Sequence, residues 1–332
     1  MIYGLRPKSY KFHFKGSHKN ILVGTLAAAK AFRYICNQIV QMDANNQKYL
    51  VISASRMTDL PAYYPQFMID TIEKRIKLGQ KIHSVVIWTK HANALNKEPL
   101  RSYLQQLKNN GIQLSIQLTI TGMGRKLVGE SAQGKLWSPE PNVPKLQDSI
   151  DQLVNLVHLV DDARRITIRI DPIAKFRFSD GSSYTNQAEL SEIIALASNV
   201  GIKRFAFSLL EPYVYKKVIR RFNLIGIEIQ SFTLHERMCL QAEIAELEQR
   251  FDCEINACCV EGFPASACVS GKQLSSMHPK TKPFHLKCPL HVQCACVQNQ
   301  LILVVGRQKH VFRDASIAMP VRYIQKNRQP LY

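Results

Sequence analysis

The sequence predicts an α/β protein built as a partial or complete (β/α) barrel of the TIM-barrel kind, and three observations carry that reading. Strand-like and helix-like stretches alternate regularly from Tyr49 to Cys259. Two of the strands alternate polar with apolar residues although helices separate them, a pattern unsuited to a sheet buried on both faces. Polar side chains then gather at strand C-termini, where barrels of this kind carry their sites.

Taken in order, Leu50–Ala54 is too short and too β-branched for a helix. It runs into Ser53, Ser55, Arg56, Thr58 and Asp59 before Pro61 opens a helical pattern over Pro61–Leu78. Asp59 is placed to cap that helix. Arg56, a cation just past a buried strand, requires a carboxylate, a phosphate or a ligand carboxyl to face it. The next strand is Ser84–Thr89, followed by a helix over Pro99–Asn109 and a strand over Ile112–Thr121. There Ser115, Gln117, Thr119 and Thr121 share one face and Ile116, Leu118 and Ile120 the other. After a helical pattern over Lys145–Val160, Ile166–Asp171 repeats this, with Thr167, Arg169 and Asp171 opposite Ile166, Ile168 and Ile170. Helix Gln187–Asn199, strand Arg204–Leu209, helix Leu234–Phe251 and strand Cys253–Cys259 complete six strands and five crossovers. Gly79, Gly111 and Gly201 stand where helix C-termini are expected.

The chain has 332 residues, 46% of them hydrophobic, enough for one large core with extensions. Its formal charge of +19 suggests nucleic acid, but residues 1–48 carry +7 and residues 297–332 carry +5 of it. The organisation read from this is a basic extension (1–48), a barrel core (49–262), a cysteine-bearing region (263–298) and a basic tail (299–332). Ile21–Ala29 after basic residues imitates a signal segment weakly, and a basic helical extension is the preferred reading. No apolar stretch approaches the roughly 20 residues that span a bilayer, so a cytoplasmic protein without membrane association is expected.

If the polar faces line one interior, Arg56, Lys90, Arg169 and Asp171 are the candidate catalytic groups. Ser53, Ser55, Asp59, Trp88, Gln117, Thr119, Thr121 and Ser208 are the candidate substrate-binding ones. Four of them have a structural alternative: Asp59 as a cap only, Lys90 as a solvated strand end, and Arg169 with Asp171 as an ion pair on one strand face. Gly122-Met-Gly124 is too short to be a nucleotide fingerprint.

Five motifs, Ser53–Tyr63, Val86–Lys90, Gln117–Gly122, Glu140–Pro144 and Arg169–Ile173, resemble in order a bacterial family classed as domain of unknown function 1848, over about residues 49–298. That family resembles the radical S-adenosylmethionine enzymes in carrying a C-terminal C-x-x-x-C-x-x-C motif. The resemblance implies a barrel-like, radical-SAM-like fold, a cysteine-bound iron–sulfur cluster and S-adenosylmethionine as a cofactor. Cys259, Cys268, Cys294 and Cys296 look like the family's upstream cysteines. The triplet itself is absent, since no cysteine follows Cys296. Either a frameshift near Val297 or Gln298 replaced it, or the chain is a natural variant without the radical-initiating centre.

The cysteines can also be read by their own chemistry. Eight of the nine lie from Cys239 onward, clustered as ligands are rather than spread as disulfides. Cys259, Cys268, Cys294 and Cys296 supply four thiolates for an iron–sulfur cluster or zinc, and Cys288, His285 and His291 are further donors. Cys258 and Cys259 would point to opposite faces of a strand, so one of them at most is a ligand. Joining these sulfurs requires Pro264–Pro289 to fold back over the sixth strand. Cys36, Cys239 and Cys253 are assigned to packing. Two functions follow: an iron–sulfur, radical-SAM-like oxidoreductase or lyase whose polar lumen holds substrate or cofactor, inactive here if the triplet is truly lost; or a basic nucleic-acid-binding module with a structural metal site.

Overall fold

Seven parallel strands form one sheet in the computed structural model. They are β1 (Leu50–Ala54), β2 (Ile82–Thr89), β3 (Gln113–Thr119), β4 (Ile166–Ile173), β5 (Arg204–Leu209), β6 (Glu254–Ala257) and β7 (Gln300–Leu303). The structure describes residues 8–11, 20–23, 50–56, 58–212, 216–258, 260–264, 266–278 and 300–303. Across the sheet the order is β6-β5-β4-β3-β2-β1-β7. Strands β1 to β6 therefore follow one another in chain order, and each right-handed crossover advances the same way and leaves its helix on the same face. A doubly wound sheet would reverse direction and cover both faces. Among the described residues no pairing of β6 with β7 closes the sheet into a barrel.

The five crossover helices are α1 (Pro65–Lys77), α2 (Leu100–Asn109), α3 (Leu153–Val160), α4 (Leu190–Asn199) and α5 (Leu234–Phe251). Met68, Ile72, Leu104, Leu107, Leu156, Ile193, Ile194, Leu240 and Ile244 from these helices join one core with Ile52, Val85, Ile87, Ile116, Leu118, Ile168, Ile170, Phe205 and Ile255. Each such side chain contributes on the order of 1.5–3 kcal/mol by leaving water. The helix expected over Pro61–Leu78 is broken at Tyr64 (φ −144°, ψ 50°), leaving Leu60–Tyr63 and α1. Pro65 is the cause: its ring disfavours helical torsions in the preceding residue and it supplies no N–H. The pattern over Lys145–Val160 is likewise divided, into Leu146–Ile150 and α3. α5 has the expected bounds and starts with a capping box between Thr233 and Glu236. None of the described helices is long and apolar enough to cross a membrane.

The opposite sheet face is polar above and apolar below. Its lower part is covered by residues 266–278, which return from β6 across the sheet, with a short helix at Gly271–Ser276. Val269, Leu274 and Met277 pack on Val51, Val86 and Trp88. Gln113 donates to the Leu274 carbonyl (3.1 Å) and Arg165 to that of Met277 (2.8 Å). Pro264–Pro289 was expected to fold back over β6; as far as His278 the chain folds further, onto β1, β2 and the start of β3.

A second cluster grows from the loops at the C-terminal ends of β3, β4 and β5. Met123, Phe176, Phe178, Leu210, Phe222, Ile227 and Ile229 pack together with Trp137 at its edge. Asn186, fully buried, ties this layer to the sheet by donating to the carbonyls of Thr121 (2.9 Å) and Pro172 (3.2 Å) and accepting from Ala174 N (2.7 Å). Outside residues 49–298, Lys8–Lys11 pairs antiparallel with Asn20–Val23, and Gln300–Leu303 pairs with β1.

Candidate functional site

Period-two alternation places Ser53, Trp88, Gln117, Arg169 and Asp171 on the face away from the five helices, and register makes them neighbours. Trp88 lies opposite Gln117 on β3, and Thr119 lies opposite Arg169 on β4. The Trp88 indole donates to Ser53 Oγ at 2.9 Å. Two guanidiniums approach that indole, Arg56 with Cζ 4.8 Å from the ring centroid and Arg169 with Cζ at 4.9 Å. Such cation–π contacts are worth about 0.5–2 kcal/mol each. Gln117 is 6% exposed and its Oε1 has no hydrogen-bond partner among the described residues.

Arg169 directs Nε (3.1 Å) and Nη2 (2.5 Å) at Asp171 Oδ2, and Ser208 donates to Asp171 Oδ1. Burial would raise the Asp171 pKa, but the charge of Arg169 and the Ser208 bond outweigh it and hold the carboxylate below its usual range. The same pairing overcomes desolvation to keep Arg169 cationic. The ion pair anticipated from their i, i+2 spacing is present, at the rim of the polar face. Thr119 beside it is half-buried.

Lys90 extends from β2 to Glu140, which is 1% exposed and also accepts from Thr121 Oγ1. The Glu140 segment reaches the sheet because Gly124 lets it in: a Cβ there would sit 1.8 Å from the Pro144 carbonyl oxygen. Gly122, at φ +74°, similarly admits Glu189, whose Cγ would be 2.6 Å from a Cβ. These glycines thus serve close approach.

Asp59 caps Leu60–Tyr63 by accepting from Ala62 N (3.3 Å), and it also takes Thr89 Oγ1 (2.9 Å), Lys90 N (2.7 Å) and His91 Nδ1 (3.0 Å). It binds two loops together rather than standing open to a ligand. Ser55, at φ +78°, turns the chain locally, donating to the Thr58 carbonyl (2.6 Å) and accepting from Leu60 N (2.7 Å). His91 was missed in the sequence. Its Nε2 lies 3.0 Å from the Asn142 carbonyl, so both ring nitrogens face acceptors and the imidazolium satisfies both. Burial lowers its pKa, yet the hydrogen bond and charge of Asp59 raise it further, for a net upward shift. A cleft of about 770 Å³ opens beside His91, Tyr63 and Arg125 and away from the Arg56–Trp88–Arg169 group.

Cys268 Sγ lies 3.4 Å from Cys258 Sγ, and both thiols are half-buried. The charge of Arg169 acts on both sulfurs, and that of Arg56 on Cys268. Contact with Cys258 and burial push the Cys268 thiol well above its ordinary pKa. Cys259, Cys294 and Cys296 lie outside the described residues. No group of three potential metal ligands occurs among the described residues. Cys258 continues the parity of Glu254 and Asn256 and meets Cys268. Cys253 is half-buried against the core, but Cys239, assigned to packing, is exposed. It lies beside buried Leu240 on the outward side of α5, a rotation that the weakly amphipathic helix sequence did not reveal.

A family model described as Domain of unknown function (DUF1848) matches residues 51–302, close to the extent of the motif resemblance. No curated protein matches the chain.

Proposed function

The chain belongs to the DUF1848 family, and we propose that its polar sheet face binds a small molecule by its carboxylate or phosphate group beside a cysteine-ligated metal centre, in the manner of iron–sulfur, radical-SAM-like enzymes. One observation carries this reading: Arg56 and Arg169 converge on Trp88 next to the Cys258–Cys268 thiols. Paired guanidiniums on an aromatic plate suit a carboxylate or phosphate. Gln117 Oε1, buried and unpartnered, suits a donor on the same molecule. In this proposal Ser53, Thr119, Thr121 and Ser208 shape the binding face, Lys90 and Asp171 set its charge, and Ser55 and Asp59 fix its entrance loop.

The sulfur geometry fits a metal. Two thiolates on one tetrahedral ion with bonds of about 2.3 Å are about 3.7 Å apart, and Cys258 and Cys268 stand at 3.4 Å. Cys294 and Cys296 are the proposed further ligands. An iron–sulfur cluster supplies one-electron chemistry there, and zinc a structural anchor. With the C-x-x-x-C-x-x-C triplet missing, this chain is proposed to keep the binding face and to have lost radical initiation.

The two tryptophans make a direct test, because only Trp88 touches the proposed site. Titration with S-adenosylmethionine, after anaerobic purification and metal analysis, should change the emission saturably. The change should vanish in Trp88→Phe, and Arg56→Gln should weaken affinity roughly tenfold or more, as loss of a charged hydrogen bond does. An emission that does not respond, or responds equally in Arg56→Gln, counts against the site. The nucleic-acid alternative rests on the +19 charge; it requires steeply salt-dependent binding of single-stranded nucleic acid.

A further inference from the structure

The loop between Cys258 and Cys268 is closed at its neck without a covalent bond. Cys258 directly follows β6, and Ser266 Oγ donates back to the Ala257 carbonyl at 2.6 Å. The two sulfurs are in contact at 3.4 Å. From Cys268 the chain enters the segment that covers the lower sheet face, where Val269 and Leu274 are 5% and 3% exposed. Packing and backbone-directed bonds, from Gln113 and Arg165 to the segment and from Gln273 to the Arg164 carbonyl, hold that segment in place. The sulfurs are thus brought together by a folded neck, so closing a bond between them needs little further ordering of the chain.

We propose that Cys258 and Cys268 form a reversible disulfide that locks residues 266–278 onto the sheet. The oxidant class is a low-molecular-weight disulfide. One thiolate attacks it, releasing one thiol and leaving a mixed disulfide; the second cysteine then displaces the remaining thiol and forms the intramolecular bond. Two S–H bonds are lost, one S–S bond is made in the chain, and the oxidant is reduced to two thiols. The half-buried state of both cysteines leaves room for a small oxidant. This uses sulfurs that the metal reading also uses, but it does not need that reading to hold.

The experiment takes the full chain, measures its metal content, strips it with a chelator and exposes it to glutathione disulfide. Alkylation under denaturing conditions and peptide mass analysis follow. A Cys258–Cys268 cross-linked peptide reversed by dithiothreitol is expected, while exposed Cys239 stops at the glutathione adduct. Amide exchange over residues 269–277 should slow on oxidation. In Cys258→Ser the cross-link and the added protection are lost and Cys268 stops at the adduct; Cys268→Ser gives the mirror result at Cys258. The proposal is overturned if both thiols stay alkylatable once Cys239 is fully modified, or if Cys268 is joined to another cysteine. The metal content, read beforehand, decides the metal proposal separately.

Discussion

His91 shows how a single side chain couples two loops through its protonation. Its Nδ1 serves Asp59 and its Nε2 the Asn142 carbonyl, and neutral imidazole has only one N–H to give. With the folded pKa raised above 6.5, the stabilisation is complete below the unfolded value and is lost as pH rises through the folded one. Wild-type stability relative to His91→Gln should therefore fall with pH above 6.5. Denaturant unfolding across pH 5.5 to 8.5 measures it, and a pH-independent difference would mean that the ring is held neutral. The Asp59 carboxylate, with Thr89, Lys90 and His91 all around it, belongs to the same knot. Trp88 works differently: it collects two cations on its ring and spends its own N–H on Ser53.

Among the elements, the segment 266–278 does the work that further strands would do in a closed barrel. It fills the lower sheet face with Val269, Leu274 and Met277 and leaves the upper part to Arg56, Trp88, Asp171 and Ser208, all half-buried and reachable by solvent. Leu274 is its central anchor, at 3% exposure. Leu274→Ala is expected to cost about 2–5 kcal/mol through lost burial and the cavity left behind. Because among the described residues the segment pairs with no strand of the sheet, it should open before the rest. Hydrogen exchange should accelerate over residues 269–277 while α1 to α4 keep their protection. Equal acceleration everywhere would show the segment to be an integral part of the global unfolding unit.

At the scale of the molecule, the strongest contrast is between a core with one polar face and chain ends that hold most of the charge. Residues 1–48 carry +7 and precede the family match, which begins at residue 51. Their removal should shift the melting temperature by less than about 2 °C, the equivalent of about 1 kcal/mol in a chain of this size. The same truncation should reduce salt-dependent nucleic-acid binding, since fewer phosphates are neutralised. A large loss of melting temperature would place residues 1–48 within the folding unit.

Six strands, their polar and apolar faces and the bounds of α5 were legible in the sequence, because period-two and period-3.6 patterns are local and one buried face enforces them. The Arg169–Asp171 pair was legible for the same reason, two residues apart on one strand. The single-faced winding needed the strand order, which no local pattern encodes. The contact of Cys258 with Cys268, the Lys90–Glu140 pair and the clamp on His91 join residues 10 to 51 positions apart. Such contacts depend on where loops return, and that is set by packing of the whole chain: Gly124 admitting the Glu140 segment, and Leu274 drawing residues 266–278 across the sheet.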